Sequence, residues 1–283
     1  MGIVGLGLIG GSLGLDLRAR GATVRALVHR EATAARARER GLASEVSTDP
    51  AVLQGCGLVV LALPLDRLLT PPPALLTALP HGVVLTDVGS VKGPVLALWR
   101  ERLGSAAPRF VASHPMAGTA RSGVDAGEAG LFEGRPWVAT PDSDTDPQAL
   151  EAVRQLAEGL GARWITCSAS EHDRAVALIS HLPVLVSAAL LQAADRGAAA
   201  GGGALPSLVR ALASSGFADT TRVGGGNPEL GTWMARWNRE ALLEGLAVYR
   251  QALEDLERQV RQQDWPELQA GLADGQRLRP EFL

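Results

Sequence analysis

The sequence predicts an α/β protein in two parts, a doubly wound, mostly parallel sheet over residues 1–167 and an all-helical domain over residues 168–283. Three observations lead there. Short β-rich runs alternate with helical stretches through the first part, the pattern of a parallel sheet covered on both faces. The glycine fingerprint Gly5-Leu6-Gly7-Leu8-Ile9-Gly10 follows an apolar run and opens a helical one, the context in which such glycines mark a Rossmann-type dinucleotide site. From about Ser168 the β signals stop and the period is helical to the end, which marks a domain boundary.

Taken in order, strands are expected near 2–4, 23–28, 57–63, 82–87, 109–112, 136–140 and 163–167, with helices near 9–20, 31–40, 92–103 and 147–160. Pro71-Pro72-Pro73 removes donors and blocks helix continuation, so a loop and then a short helix are expected there. In the second part, Ser170-Glu171-His172-Asp173 reads as the N-terminal cap of a long apolar helix. Gly201-Gly202-Gly203 and Gly224-Gly225-Gly226 are its principal loops.

Composition narrows the function. With 283 residues, 46% hydrophobic and 20% charged, the chain has the balance of a soluble globular protein with room for two domains. A net charge of −3 provides no basic field for nucleic acid or an acidic membrane, so anionic ligands must be met by local arginines. Cys56 and Cys167 read as reduced core residues of an intracellular protein. No secretory leader precedes the first strand, so the expected compartment is the cytoplasm.

The uncharged segment 175–194 is about long enough to span a bilayer, but it carries His181, Pro183 and Gln192 and lacks basic or aromatic anchors. It is expected instead to be buried on every side, with the partner of a homodimer supplying part of the cover. No group of residues has metal-ligand spacing. Among 27 Lys plus Arg, Lys92 is the lone lysine, which points to a site where a forked guanidinium will not serve or, alternatively, to chance.

In the glycine fingerprint, Gly5 permits the turn, Gly7 lets the backbone approach a pyrophosphate and Gly10 lets the helix pack on the sheet, with Leu8 and Ile9 in the helix turn that faces the phosphates. The end of the second strand falls on His29 and Arg30, with Thr33 one turn on. An arginine there accepts the 2′-phosphate of NADP, so NADP is read over NAD; Glu31, acting as a ribose acid, would reverse that choice. Leu63 and Pro64 end one buried strand, and Asp87 to Lys92 follow another, placing Ser90 and Lys92 beside the cofactor. Ser90 alternatively caps the helix that begins near Val91.

Ser113-His114-Pro115-Met116-Ala117-Gly118 sets a titratable imidazole in a tight loop, where it can accept a proton while a hydride leaves. Ser180-His181-Leu182-Pro183 and the stretch from Ser214 to Pro228, containing Arg222, add polar chemistry in apolar surroundings. Each has a plain alternative: His114 as a turn cap, His181 as a core histidine, Arg222 as a structural ion-pair arginine. His29, His81 and His172 read as surface residues.

Five segments, GLGLIGGSL, TDVGSVK, SHPMAGT, ISHLPVLVSAAL and SSGFADTTRVGGGNPELG, resemble in order the motifs of the prephenate/arogenate dehydrogenases of tyrosine biosynthesis, over essentially the whole chain. LVHREAT after the second strand is most similar to the compact NADP-using arogenate dehydrogenases. The resemblance implies oxidative decarboxylation of a small cyclohexadienol substrate, arogenate or, alternatively, prephenate. It implies that His114 takes the 4-hydroxyl proton, Ser90 hydrogen-bonds in the site, and His181 lines the cavity. Arg222 would hold the side-chain carboxylate, because an ion pair on the departing ring carboxylate would stabilise the ground state. A related two-domain hydroxyacid dehydrogenase using Lys92 as acid/base, and a dinucleotide-binding regulator without chemistry, are the competing readings.

Overall fold

Six short parallel strands in the order β3-β2-β1-β4-β5-β6 form the main sheet. They run from β1 (Gly2–Val4) through β2 (Arg25–Leu27), β3 (Glu45–Ser47), β4 (Leu58–Leu61) and β5 (Val84–Asp87) to β6 (Phe110–Val111). The computed structural model describes residues 1–119 and 121–282. Strands β1 and β4 are apolar and almost wholly buried, and β5 is buried throughout although it ends on Thr86 and Asp87, as a sheet with two helical layers requires. One core layer gathers Leu13, Leu42, Phe132 and Trp137, and the other gathers Leu61, Leu68, Trp99 and Phe110. In the second, Trp99 stacks on Phe110 at 5.7 Å between centroids.

The crossovers are α1 (Leu8–Ala19), α2 (Glu31–Glu39), α3 (Leu65–Leu69) with α4 (Pro73–Ala78), and α5 (Gly93–Leu103). Helix α4 begins at the third proline of the triplet, where the missing donor and preset φ are tolerated. The expected strands and helices of this part are present with slightly shorter ends. β3 is additional, since Glu45-Val46-Ser47 at a sheet edge has no apolar alternation to announce it.

A second sheet, β7-β8-β9, comprises β7 (Ser113–Pro115), β8 (Pro136–Ala139) and β9 (Arg163–Thr166), with α6 (Pro147–Gly159) between the last two. β7 pairs antiparallel to β8, with His114 opposite Val138. His114 therefore stands on a strand, where a loop was expected. The pairing makes its backbone part of a ladder and gives the imidazole a rigid mount.

The helical part comprises α7 (Ala169–Val176), a π-helical turn over Ala177–His181, α8 (Leu182–Gly201), α9 (Leu205–Leu212), α10 (Ser215–Thr221), α11 (Pro228–Trp237), α12 (Arg239–Gln262) and α13 (Trp265–Phe282). The cap of α7 is Ser168, two residues before the expected one. Its hydroxyl accepts from Glu171 N–H, and the Glu171 carboxylate accepts from Ser168 N–H, a reciprocal box that satisfies two orphan donors. Helix α7, the π turn and α8 run on as one element, Ala169–Gly201, long and apolar enough to cross a bilayer. In the single chain only 28% of its most apolar window is buried, so the expected all-round burial is not met within one subunit. Leu178 and Ile179 are about half exposed.

Candidate active site

The site grows from the carboxyl ends of β1, β4 and β5, where an open α/β sheet places its ligands. Gly5 has φ +92°, and a Cβ there would stand 2.4 Å from the Ala62 carbonyl oxygen. A Cβ on Gly10 would stand 2.0 Å from the Gly5 carbonyl oxygen. These two glycines are needed by the chain itself. Gly7 is different: nothing lies within 4 Å of where its Cβ would be, so the backbone is bare toward open space. It is also the N-cap of α1 and offers no side chain to the first N–H groups, which Leu8, Ile9 and Gly10 supply. A bare helix N-terminus over an open cradle fits a dinucleotide pyrophosphate.

Around that cradle, Leu63 packs against Gly5, and Pro64 is exposed at the N-cap of α3. His29 and Arg30 are exposed at the end of β2, with Arg30 as the N-cap of α2, and Thr33 is half-buried in that helix's first turn. Glu31, the candidate ribose acid, is engaged by Arg38 at 2.7 Å.

Lys92 lies elsewhere than expected. Its side chain is wholly buried, and Nζ donates to Asp87 Oδ2 and, at 2.6 Å, to the Ser113 carbonyl. Burial pushes the lysine pKa down and Asp87 opposes the shift. Lys92 therefore contacts protein on all sides and not a cofactor: it ties the end of β5 to the strand that carries His114. Asp87 is the hub of this tie, its carboxylate also accepting Gly89 N–H at 2.8 Å and Ser113 N–H at 3.1 Å. A compact ammonium fits where the planar fork of arginine has no room.

His114, partly buried, is thus fixed beside a buried cation. Its Nδ1 is 3.0 Å from Nε2 of His172, whose Nδ1 is 2.8 Å from Asp173 Oδ1. His172 was expected at the surface and is buried, because the first turn of α7 docks on α5 through Asp173. The Asp173 carboxylate accepts Lys92 N–H at 2.7 Å and Gly93 N–H at 2.8 Å, capping α5 rather than its own helix. The His114 ring is held well below the ordinary histidine pKa by burial first, then by His172, Lys92 and His181. It is neutral at physiological pH, as a proton acceptor must be.

Ser90 and His181 join from two directions. Among the described residues, Ser90 Oγ is a buried polar atom with no hydrogen-bond partner, and buried His181 Nε2 has none of good geometry, the ring interacting only weakly with the Ser90 backbone. Such orphans cost on the order of 1–3 kcal/mol each unless water or a ligand meets them, and Ser90 and His181 are the two that the sequence motifs single out. His181 closes the π turn, a distortion that recurs at functional positions. Its Nδ1 meets Asn238 Nδ2 at 3.2 Å, and that amide also donates to the Asp173 carbonyl at 2.7 Å. Asn238, between α11 and α12, went unnoticed in the sequence because a lone buried Asn has no periodic signature.

Burial holds the His181 ring at about 4, opposed by Asp173. The sign is that of a depressed base: as pH falls below the usual 6.5, the unfolded chain takes up the proton first. His181 therefore contributes stability that is complete above about 6.5 and lost toward about 4, on the order of 3 kcal/mol in all. Urea unfolding at about pH 7 and about pH 5 should show the drop, and His181→Gln should make it smaller, the part due to His114 remaining; equal pH dependence in the variant would refute the assignment.

Arg222 ends α10. It lines a cavity of about 460 Å³ with Met116 to Thr119, the residues that follow His114, and with Arg135. Its mount is specific: Ser187 Oγ on α8 donates to the Thr220 carbonyl at 3.0 Å and accepts Gly224 N–H at 2.9 Å. A Cβ on Gly224 would reach 2.4 Å from Ala188 N, which explains the first glycine of the triplet.

Comparisons with known proteins bear on the family and the fold. The family model described as the prephenate dehydrogenase nucleotide-binding domain matches residues 13–166, and the prephenate dehydrogenase dimerization domain matches residues 168–274. The chain is similar to a cyclohexadienyl dehydrogenase of Zymomonas mobilis, 33% identical over 282 residues, 98% of this chain and 94% of that protein. The crystal structure of Synechocystis arogenate dehydrogenase is 43% identical, with a TM-score of 0.81 over 100% of this chain and 99% of that one. Prephenate dehydrogenase from A. aeolicus, solved with hydroxyphenyl propionate and NAD⁺, is 27% identical with a TM-score of 0.89 over 100% and 97%.

Proposed function

The chain belongs to the prephenate dehydrogenase family, and from that premise we propose that it converts L-arogenate to L-tyrosine by oxidative decarboxylation with NADP⁺. One observation carries the reading: His114 is a neutral imidazole under the influence of His172, Lys92 and His181, in a domain that also holds a buried, unpartnered Ser90 Oγ and a helix α1 that begins on a bare glycine cap. The nicotinamide, when bound, supplies the hydride acceptor. His114 takes the proton of the 4-hydroxyl as the hydride leaves ring C4, and the ring carboxylate departs as CO₂ with aromatisation. Ser90 Oγ and His181 Nε2–H hold the hydroxyl and the cavity wall, and Arg222 pairs with the side-chain carboxylate. Similarity to the Synechocystis arogenate dehydrogenase favours arogenate; the A. aeolicus prephenate dehydrogenase favours prephenate as the second reading. Tyrosine or hydroxyphenylpyruvate formation, measured with each substrate and with NAD⁺ and NADP⁺ in turn, decides between them. No turnover of either substrate would end both readings.

Arg30, exposed at the end of β2, is the residue proposed to meet the 2′-phosphate. Losing a charge-assisted contact costs about 1.5–3 kcal/mol, so Arg30→Ala should raise the KM for NADP⁺ roughly 10 to 100-fold and leave NAD⁺ nearly unaffected. An equal rise for both cofactors would remove the assignment.

The half-exposed Leu178 and Ile179, with Leu212 at 71% and Val248 at 68%, leave large apolar side chains on the surface of the helical part, which matches a dimerization-domain family model. A cytoplasmic homodimer whose partner covers α8 and α12 accounts for them without a membrane. Light scattering at micromolar concentration should give twice the 29.5 kDa chain mass; a monomer would defeat the claim.

A further inference from the structure

The proton acceptor is the end of a hydrogen-bond chain whose direction can be read from its partners. Asp173 Oδ1 accepts Lys92 N–H at 2.7 Å, and Oδ2 accepts Gly93 N–H at 2.8 Å. A carboxylate oxygen only accepts, so the nitrogen of His172 that faces Oδ1 at 2.8 Å, Nδ1, carries its proton. The other nitrogen of a neutral His172, Nε2, is then a lone pair. His114 Nδ1, 3.0 Å from it, must donate. That leaves Nε2 of His114 as its basic atom.

We propose that His172 and Asp173 are positioning residues that fix His114 in the Nδ1–H tautomer, so that Nε2 is the atom that takes the substrate proton. The inference rests on His114 being the base. In the step itself the substrate O–H bond breaks and an Nε2–H bond forms. The imidazolium at His114 keeps its Nδ1–H, which now makes a charge-assisted bond to His172 Nε2; His172 and Asp173 neither gain nor lose a proton. The arrangement follows the logic by which a buried carboxylate holds a catalytic imidazole in its productive tautomer, with a second imidazole interposed. The frame is rigid on both sides: Asp173 is held by the N-terminus of α5, and the Asn238 amide bonds the Asp173 backbone.

The test uses the full-length protein. His172→Phe keeps volume and removes the acceptor. His172→Gln presents an oxygen toward His114 and an NH₂ toward Asp173. We expect His172→Phe to lower kcat on the order of 10 to 100-fold while the KM for NADP⁺ changes by less than about twofold, and His172→Gln to recover to within roughly tenfold of the parent. A readout independent of turnover comes from ¹⁵N-histidine NMR at about pH 8, above the ordinary histidine range. The chain has five histidines, so single substitutions assign them, and His114 and His172 should both appear protonated at Nδ1. An Nε2-protonated His114 in the native protein, or parent-level kcat in His172→Phe, overturns the proposal even if that variant folds poorly, since the native spectrum needs no variant beyond assignment. A His114→Asn protein that still turns over would instead overturn the reading of His114 as base, and the two failures are thereby distinct.

Discussion

His114→Asn should lower kcat by about 10²–10⁴-fold with little change in dinucleotide affinity, because a positioned proton acceptor contributes that much and asparagine keeps hydrogen bonding without basicity. The pH profile carries a second expectation. Burial, followed by His172, Lys92 and His181, depresses the His114 pKa. The base-competent neutral form therefore persists as pH falls through 6.5. The acid limb of kcat/KM should lie below the ordinary histidine range, and the asparagine variant should lack it. Steady-state rates across pH settle both points; a limb that survives the substitution would move the base to His181.

The largest effect on stability should come from Lys92→Met. The Lys92 and Asp87 side chains are both wholly buried, with the ammonium on the carboxylate. Removing one partner of such a pair leaves an uncompensated charge in the core and typically costs about 3–5 kcal/mol. The melting temperature should fall by on the order of 10 °C. Because Lys92 Nζ also donates to the Ser113 carbonyl, next to His114, activity should fall with it. Adding Asp87→Asn should restore part of the loss, since the remaining amide is neutral and still accepts from Gly89 or Ser113 N–H. Calorimetry on the parent, single and double variants tests this. A Lys92→Met protein as stable as the parent would mean that the pair contributes nothing to the fold.

The sheet was legible because its signals are local. Apolar runs such as Gly2–Val4 and Leu58–Leu61 need two covered faces wherever they sit, and a glycine that must adopt φ +92°, as Gly5 does, marks its turn in the sequence. The edge strand β3 was missed because it is three residues long and only Val46 of them is apolar and buried, too little alternation to announce a strand. His114 drew attention as a histidine among small residues, but its mount on β7 did not: antiparallel pairing with β8 joins residues more than twenty positions apart.

By itself the sequence determined the α/β domain followed by helices, the glycine cradle and the family, all of which rest on periodicity, on backbone conformations that only glycine adopts freely, and on motif order. Tertiary structure alone decided what surrounds the imidazole. His172 and Lys92 looked respectively like a surface cap and a cofactor contact, yet both are buried, His172 behind His114 and Lys92 between Asp87 and the Ser113 carbonyl. The partner that sets this histidine's tautomer and a charge that depresses its pKa come from residues 58 and 22 positions away in the chain, added to the burial that the fold imposes. Neither is a property of the local sequence, because desolvation and hydrogen-bond direction depend on which surfaces meet once the chain has folded.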